Sequence, residues 1–197
     1  MTFLTIDNAS QGEYRELRSR FMSFAFPLHD AQEVKPIVDK LKKEYFDARH
    51  HCYAWKTGVG NQVLTRTNDD REPSHTAGEP ILAAIDSADI TDVLIVVVRY
   101  FGGVKLGASN LSKAYRAAAA AAIDNAVKVQ KVQTEDIVFS FDYSVMAQVN
   151  KFLKENNFTK DTYRYTDANV ICLKVETEKA EEFKAKLSSV YGITVME

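Results

Sequence analysis

Cysteine is scarce in this 197-residue sequence: there are two, Cys52 and Cys172, far apart in the chain. Two thiols make no disulfide framework in a chain of this length, and they suit a reducing cytosol. An excess of charge is missing too. Lys and Arg number 25 against 27 Asp and Glu, a net charge of −2, so the molecule lacks the broad positive field of a generic nucleic-acid binder. Neither side of residue 126 is a basic module. No segment approaches the roughly 18 consecutive apolar residues of a membrane span, and Met1–Ser10 has no basic region leading into a long apolar core. The expectation is a cytoplasmic protein with no membrane partner.

Catalytic and metal-binding spacings are equally thin. There is no CxxC or HxxxH pair for a closed zinc site, no Walker-type Gly-Lys-Ser/Thr, no serine elbow and no dispersed Asp, His and Glu set of a dinuclear peptidase. No metal and no cofactor is expected, and the balance leans away from an enzyme. Internal repeats and low-complexity tracts are absent apart from the alanine run Ala117–Ala122.

What is present is an ordinary apolar content, 46%, sufficient for a core in one large domain or two small ones. The chain is organised around Asn68–Ala122, which carries two polar loops, each leading into a helix. The first is Asp69–Pro80 and the second Arg99–Asn110. Between them, Thr91–Val98 is an apolar, β-branched run that reads as a central strand buried on both faces.

Before this stretch, Glu13–Pro27 reads as one or two strands, with Phe21, Ser23 and Ala25 alternating with Met22, Phe24 and Phe26. Asp30 is a candidate N-cap for an amphipathic helix carrying Val34, Ile37, Val38, Leu41 and Tyr45. His50–Lys56 and Gln62–Thr67 read as a hairpin around Thr57–Asn61. Thr76 or Glu79-Pro80 starts a helix ending near Ala88, and Ser109 or Asn110 caps another over Leu111–Asn125. From Val127 the chain alternates. It then runs strand Ile137–Tyr143, helix Ser144–Asn156, strand Phe158–Tyr165, strand Asn169–Glu176, helix Glu178–Tyr191, strand Ile193–Met196, the split βαβ or ferredoxin-like order. The expected fold class is α+β in two domains, 1–126 and 127–197. The first is read as an α/β sandwich with helices on one face of a sheet.

The segments Asp69-Asp70-x-Glu72-Pro73-Ser74-x-Thr76-Ala77-Gly78-x-Pro80, Arg99-Tyr100-Phe101-Gly102-Gly103-x-Lys105-Leu106-Gly107 and Leu111-x-x-Ala114-Tyr115 resemble the signature of the YigZ/Impact family. The resemblance extends upstream through Ser19-x-Phe21 and Ala48-x-His50-x-Cys52-Tyr53-Ala54, covering most of residues 15–125. It implies an N-terminal domain with the ribosomal protein S-five domain-two-like fold, and a ferredoxin-like C-terminal domain similar to one in elongation factor G. It also implies a link to translation, since eukaryotic Impact proteins regulate the amino-acid-starvation response by binding a ribosome-associated kinase activator. Arg71 and His75 stand where the family usually has glycines, and Ala108-Ser109-Asn110 replaces Thr-Gly-Gly. If those glycines use positive φ, then Arg71, His75 and Asn110 adopt it at a cost, or the loops are reshaped.

The candidate site residues are Asp69, Asp70, Glu72 and Thr76 in the first loop; Arg99, Tyr100, Gly102, Gly103, Lys105 and Gly107 in the second; and Lys113 and Arg116 on the following helix. Glycines let backbone amides approach a ligand, and a helix start offers unpaired N–H groups and a positive dipole end. Arg99 and Lys105 either hold a phosphate or carboxylate, or Arg99 pairs with Asp69, Asp70 or Glu72 and ties the loops together; both arrangements can coexist. The three carboxylates read as turn and capping groups or as cation ligands, and alternation puts His50 and Cys52 on one strand face and His51 on the other. Tyr100, Phe101 and Tyr115 either stack on bases or fill the core. The partners implied are RNA, the ribosome or a translation-associated protein, or alternatively a small anion or phosphorylated metabolite.

Overall fold

The protein is described over residues 1–196 by a computed structural model. The chain forms β1 (Thr2–Ile6), β2 (Ser10–Glu16), β3 (Ser19–Pro27), α1 (Val34–Glu44), β4 (His50–Thr57), β5 (Leu64–Asn68), α2 (Gly78–Ser87), β6 (Val93–Tyr100) and α3 (Ala108–Asp124). After these come β7 (Lys128–Val132), β8 (Thr134–Phe141), α4 (Met146–Glu155), β9 (Tyr163–Asp167), β10 (Val170–Glu176), α5 (Thr177–Ser188) and β11 (Ile193–Met196). The architecture is mixed α and β. Contacts divide the described residues into two units, 3–131 and 1–2 with 132–196. Among the described residues, no helix is long and apolar enough to cross a membrane.

The first unit is built on a five-stranded sheet in the order β2-β3-β6-β4-β5, every neighbouring pair antiparallel. β6 lies at its centre and is buried from Val93 to Arg99. Its side chains alternate between two separate cores. Val93, Ile95 and Val97 join Phe21, Ala25, Cys52 and Ala54 beneath α2 and α3. Leu94, Val96 and Val98 join Phe24 and Trp55 beneath α1, whose Val34, Val38 and Leu41 are buried. The expectation of helices on one face is therefore corrected: they cover both. A strand apolar at nearly every position exposes an apolar stripe unless each face is covered, and fully burying a Val, Leu or Ile side chain is worth about 1.5–3 kcal/mol.

The alanine run lets α3 approach the sheet closely. Ser23 Oγ donates to the carbonyl of Ala118 at 2.6 Å and Ser10 Oγ to that of Ala122 at 2.7 Å. On β2, a Cβ at Gly12 would fall 2.4 Å from the Ala122 nitrogen, so only glycine fits there. Other expected boundaries shift. The hydroxyl-bearing residues Thr76 and Ser109 cap neither helix, and α3 begins at Ala108 rather than Leu111. β1 was not foreseen; it pairs with β7 and bridges to Ile90 through Leu4.

In the second unit, the elements run β8-α4-β9-β10-α5-β11, and the antiparallel sheet has the order β11-β8-β10-β9. Ile137, Phe139, Phe141, Ile171, Leu173 and Val175 form its core with Val149 and Leu153 of α4 and Ala180 and Leu187 of α5. Tyr143, expected to continue the inward face, is 67% exposed in a turn. β9 starts at Tyr163, later than expected, because Phe158 leaves the sheet to pack against Phe152 and Phe183.

Candidate functional site

Antiparallel register sets the site. Phe21 of β3 and His50 of β4 both lie opposite Arg99 of β6, so these three side chains form a row on one face at the end of the sheet. The two loops close over that row.

The first loop is held from within by carboxylates. Asp69 accepts three backbone hydrogen bonds, from His75 at 2.9 Å, Ala77 at 3.0 Å and Gly78 at 2.8 Å, and so caps α2 from outside the helix. Burial opposes ionisation of Asp69, but these donors outweigh it and hold the carboxyl below its ordinary range. Asp70 accepts from the His51 backbone N–H at 2.8 Å, and its own carbonyl bonds His50 Nδ1 at 2.9 Å. The resulting path gives φ of 72° at Arg71 and 63° at His75, the two positions where the resemblance implies glycines. Of the two alternatives at Asn110, positive φ or a reshaped loop, the structure shows no positive φ: Asn110 lies inside α3, and Gly107 before it takes φ 76°. Thr76 is buried, and its hydroxyl donates to the Pro73 carbonyl at 2.6 Å.

Glu72 turns away from its two acidic neighbours. Its Oε1 accepts from Arg99 Nη1 and from the Tyr115 hydroxyl at 2.8 Å, with His50 Nε2 at 3.8 Å. Behind it, the Cys52 thiol donates to the Asp69 carbonyl at 3.0 Å and lies 3.3 Å from the Tyr115 hydroxyl. Burial pushes both the Cys52 thiol and the Tyr115 phenol up, so each keeps its proton, the thiol for the Asp69 carbonyl and the phenol for Glu72. The three carboxylates therefore go to separate tasks. Among the described residues no group of three or more His, Cys, Asp and Glu side chains is placed to hold a metal ion.

The second loop frames a cleft of about 420 Å³. Arg99 and Glu72 lie in it, with Phe101, Lys105, Leu106 and Gly107 from the loop and Ala108 and Leu111 from the start of α3. Arg49, His50 and Pro73 complete the opposite wall. The Arg99 guanidinium lies 5.3 Å from the Phe21 ring centre and 5.6 Å from that of Phe101, a cation–π stack on each aromatic. No side chain caps α3, and its first turn carries no acidic residue.

Of the residues singled out in the sequence, Glu72, Arg99, Lys105 and Gly107 meet at this cleft. Asp69, Asp70 and Thr76 form the frame of the first loop. Tyr100 belongs to the opposite face; its hydroxyl donates to Asp47 at 2.7 Å, and burial together with that carboxylate pushes its phenol up to about 12. Gly102 packs on the Arg18–Ser19 backbone, while Gly103 faces open space. Lys113 and Arg116 are exposed on α3 and do not line the cleft; Arg116 donates to Ser87 Oγ at 2.8 Å. Tyr115 is core, whereas Phe101 is exposed at the rim. Arg49 was missed, although it fills the unassigned position of the Ala48-x-His50 segment.

Comparison with known proteins matches the same region. The sequence model of the Impact N-terminal domain fits residues 17–123. The IMPACT family member YvyE of Bacillus subtilis (strain 168) is 31% identical over 166 residues, 84% of this chain and 76% of its own. The IMPACT family member YigZ of Escherichia coli (strain K12) is 28% identical over 172 residues, 87% of this chain and 84% of its own. A crystal structure of a hypothetical protein superposes with a TM-score of 0.74 at 25% identity, covering 99% of this chain and 96% of that one. Both loops and the row of residues they enclose fall inside the matched domain, and the chain belongs to the IMPACT family.

Proposed function

We propose that this chain is a non-catalytic, cytoplasmic binding protein linked to the regulation of translation. In this reading it contacts RNA or the ribosome through the glycine-rich loop and α3. The link to translation comes from the family. The placement of the contact is supported by one observation: α3 opens into the cleft with no capping side chain, beside Arg99, Lys105 and Arg49. An open helix start and the two cations that Glu72 does not neutralise, Lys105 and Arg49, favour phosphate oxygens. Lys113 and Arg116 extend the cationic character along the exposed side of α3. The domain reading that accompanies this function is an Impact-type domain at 1–126 with the S-five domain-two-like fold and a ferredoxin-like domain at 127–197. The β11-β8-β10-β9 order supports the second of these.

The test is co-sedimentation with ribosomes at low and moderate salt, with and without nuclease. Binding should weaken as salt rises, and Lys105→Ala with Arg116→Ala should reduce both the affinity and its salt slope. An unchanged slope in the double variant would place the contact elsewhere. A second reading, a binding site for a small anion or phosphorylated metabolite, is favoured by the concavity of the cleft. Its volume falls in the range of about 300–1,000 Å³ typical of small-molecule sites.

A further inference from the structure

We infer that the cleft holds the phosphomonoester of a nucleotide, either free or at the end of an RNA chain; this rests on the anion-binding reading of the same cleft. The start of α3 alone would not carry the inference. The independent observation is Arg99. Its side chain is 93% buried, and its Nε has no hydrogen-bond partner, although Nη1 is matched by Glu72. Arg99 lines the cleft; a buried guanidinium N–H left unpaired is costly, and an acceptor that reaches it from a ligand relieves that cost.

Charge indicates which acceptor. Glu72 is matched by Arg99 and by the Tyr115 hydroxyl, so it does not neutralise Lys105 or Arg49. Those two cations and the roughly half-unit positive end of α3 suit the charge of about −1.5 to −2 on a phosphomonoester better than the single charge of a carboxylate or phosphodiester. Phe101, 42% exposed at the rim, offers a ring face on which a base can stack. The cleft thus has a cationic end and an aromatic edge, matching a nucleotide rather than inorganic phosphate alone.

The experiment is titration calorimetry of the full chain with adenosine 5′-monophosphate, inorganic phosphate and adenosine. It also uses one RNA oligonucleotide prepared with a 5′-phosphate and with a 5′-hydroxyl. Adenosine 5′-monophosphate should bind, adenosine should not, and inorganic phosphate should bind more weakly. Lys105→Ala, an exposed loop substitution, should weaken the nucleotide about tenfold through loss of a charge-assisted contact. Phe101→Ala should weaken the nucleotide about fivefold or more while leaving inorganic phosphate unchanged. Tighter binding of the phosphorylated oligonucleotide than of the mononucleotide identifies an RNA end as the source; equal binding identifies a free nucleotide. Absence of binding by both adenosine 5′-monophosphate and the 5′-phosphorylated oligonucleotide at millimolar concentration, or affinity unchanged in Lys105→Ala, overturns the inference. If ribosome co-sedimentation still occurs in that case, the translation-linked reading stands and only the nucleotide assignment fails.

Discussion

The two loops that enclose the cleft each end in a helix, and they treat the helix start in opposite ways. At α2, Asp69 reaches across its own loop to accept three backbone N–H groups, and Glu79 adds a negative charge to the first turn. The positive end of that helix is closed by the protein. At α3, Gly107 opens the helix with no capping side chain and no acidic residue, although the helix is longer, 17 residues against 10. Gly107, Ala108 and Leu111 at this start line the cleft. The same fold thus closes one helix start with its own carboxylate and leaves the other without a capping side chain, and the Glu72–Arg99 pair ties the first loop to the second.

The largest effect should come from cutting that tie. Glu72→Ala leaves Arg99 buried without its counter-charge and the Tyr115 hydroxyl without its acceptor. Removing one partner of a buried pair costs about 3–5 kcal/mol, to be read as a lower midpoint in urea unfolding followed by circular dichroism. A loss under about 1 kcal/mol would mean the pair contributes little to joining the loops.

Asp69→Ala comes next, with an expected loss of about 2 kcal/mol from three N–H groups that lose their acceptor. Its pH dependence has a defined sign. The folded-state carboxyl sits below its ordinary range, so between the folded and unfolded values the unfolded chain binds more protons and stability rises with pH. The contribution is complete above the ordinary Asp value of about 3.9 and disappears as pH falls through the folded value. The stability gap between the natural protein and Asp69→Asn should therefore shrink below about pH 4.

A smaller gain is expected from His75→Gly. His75 is exposed and held at φ 63°, which a side chain tolerates poorly, so glycine should stabilise the first loop by about 0.5–1 kcal/mol. Measured unfolding midpoints for this variant and for Arg71→Gly would sharpen the account of how this chain tolerates side chains where its family usually has glycine.

Much of the architecture was legible because apolar alternation is a local signal. Phe21, Ser23 and Ala25 part from Met22, Phe24 and Phe26 on the sequence alone, and they do so in space. The two-sided burial of β6 was also readable, yet the helices were assigned to one face, because nothing local says which side of a sheet a helix such as α1 will cover. β1 escaped notice because its partners lie some hundred residues away, at Ile90 and β7. At the site, the motif residues Glu72, Arg99, Lys105 and Gly107 were visible as polar groups and glycines in unusual loops. The Tyr115–Glu72 hydrogen bond was not, since an aromatic residue on an alanine-rich helix looks like any core position until register brings it beneath the first loop. Tyr100 reads from the sequence as either a base-stacking or a core aromatic, and strand alternation sends it to the face opposite Arg99.

The comparison between the helix starts can be broken with one exposed substitution. Ser109→Asp gives α3 what α2 already has, a negative charge in its first turn, and should stabilise the fold by about 0.5 kcal/mol through the helix dipole. The same carboxylate should repel an anion from the cleft, so stability and binding should move in opposite directions. Thermal unfolding gives the first quantity, and calorimetric titration with adenosine 5′-monophosphate gives the second. A variant that is more stable and still binds as well as the natural protein would mean the open start of α3 serves no ligand. The contrast with α2 would then be a matter of helix stability alone.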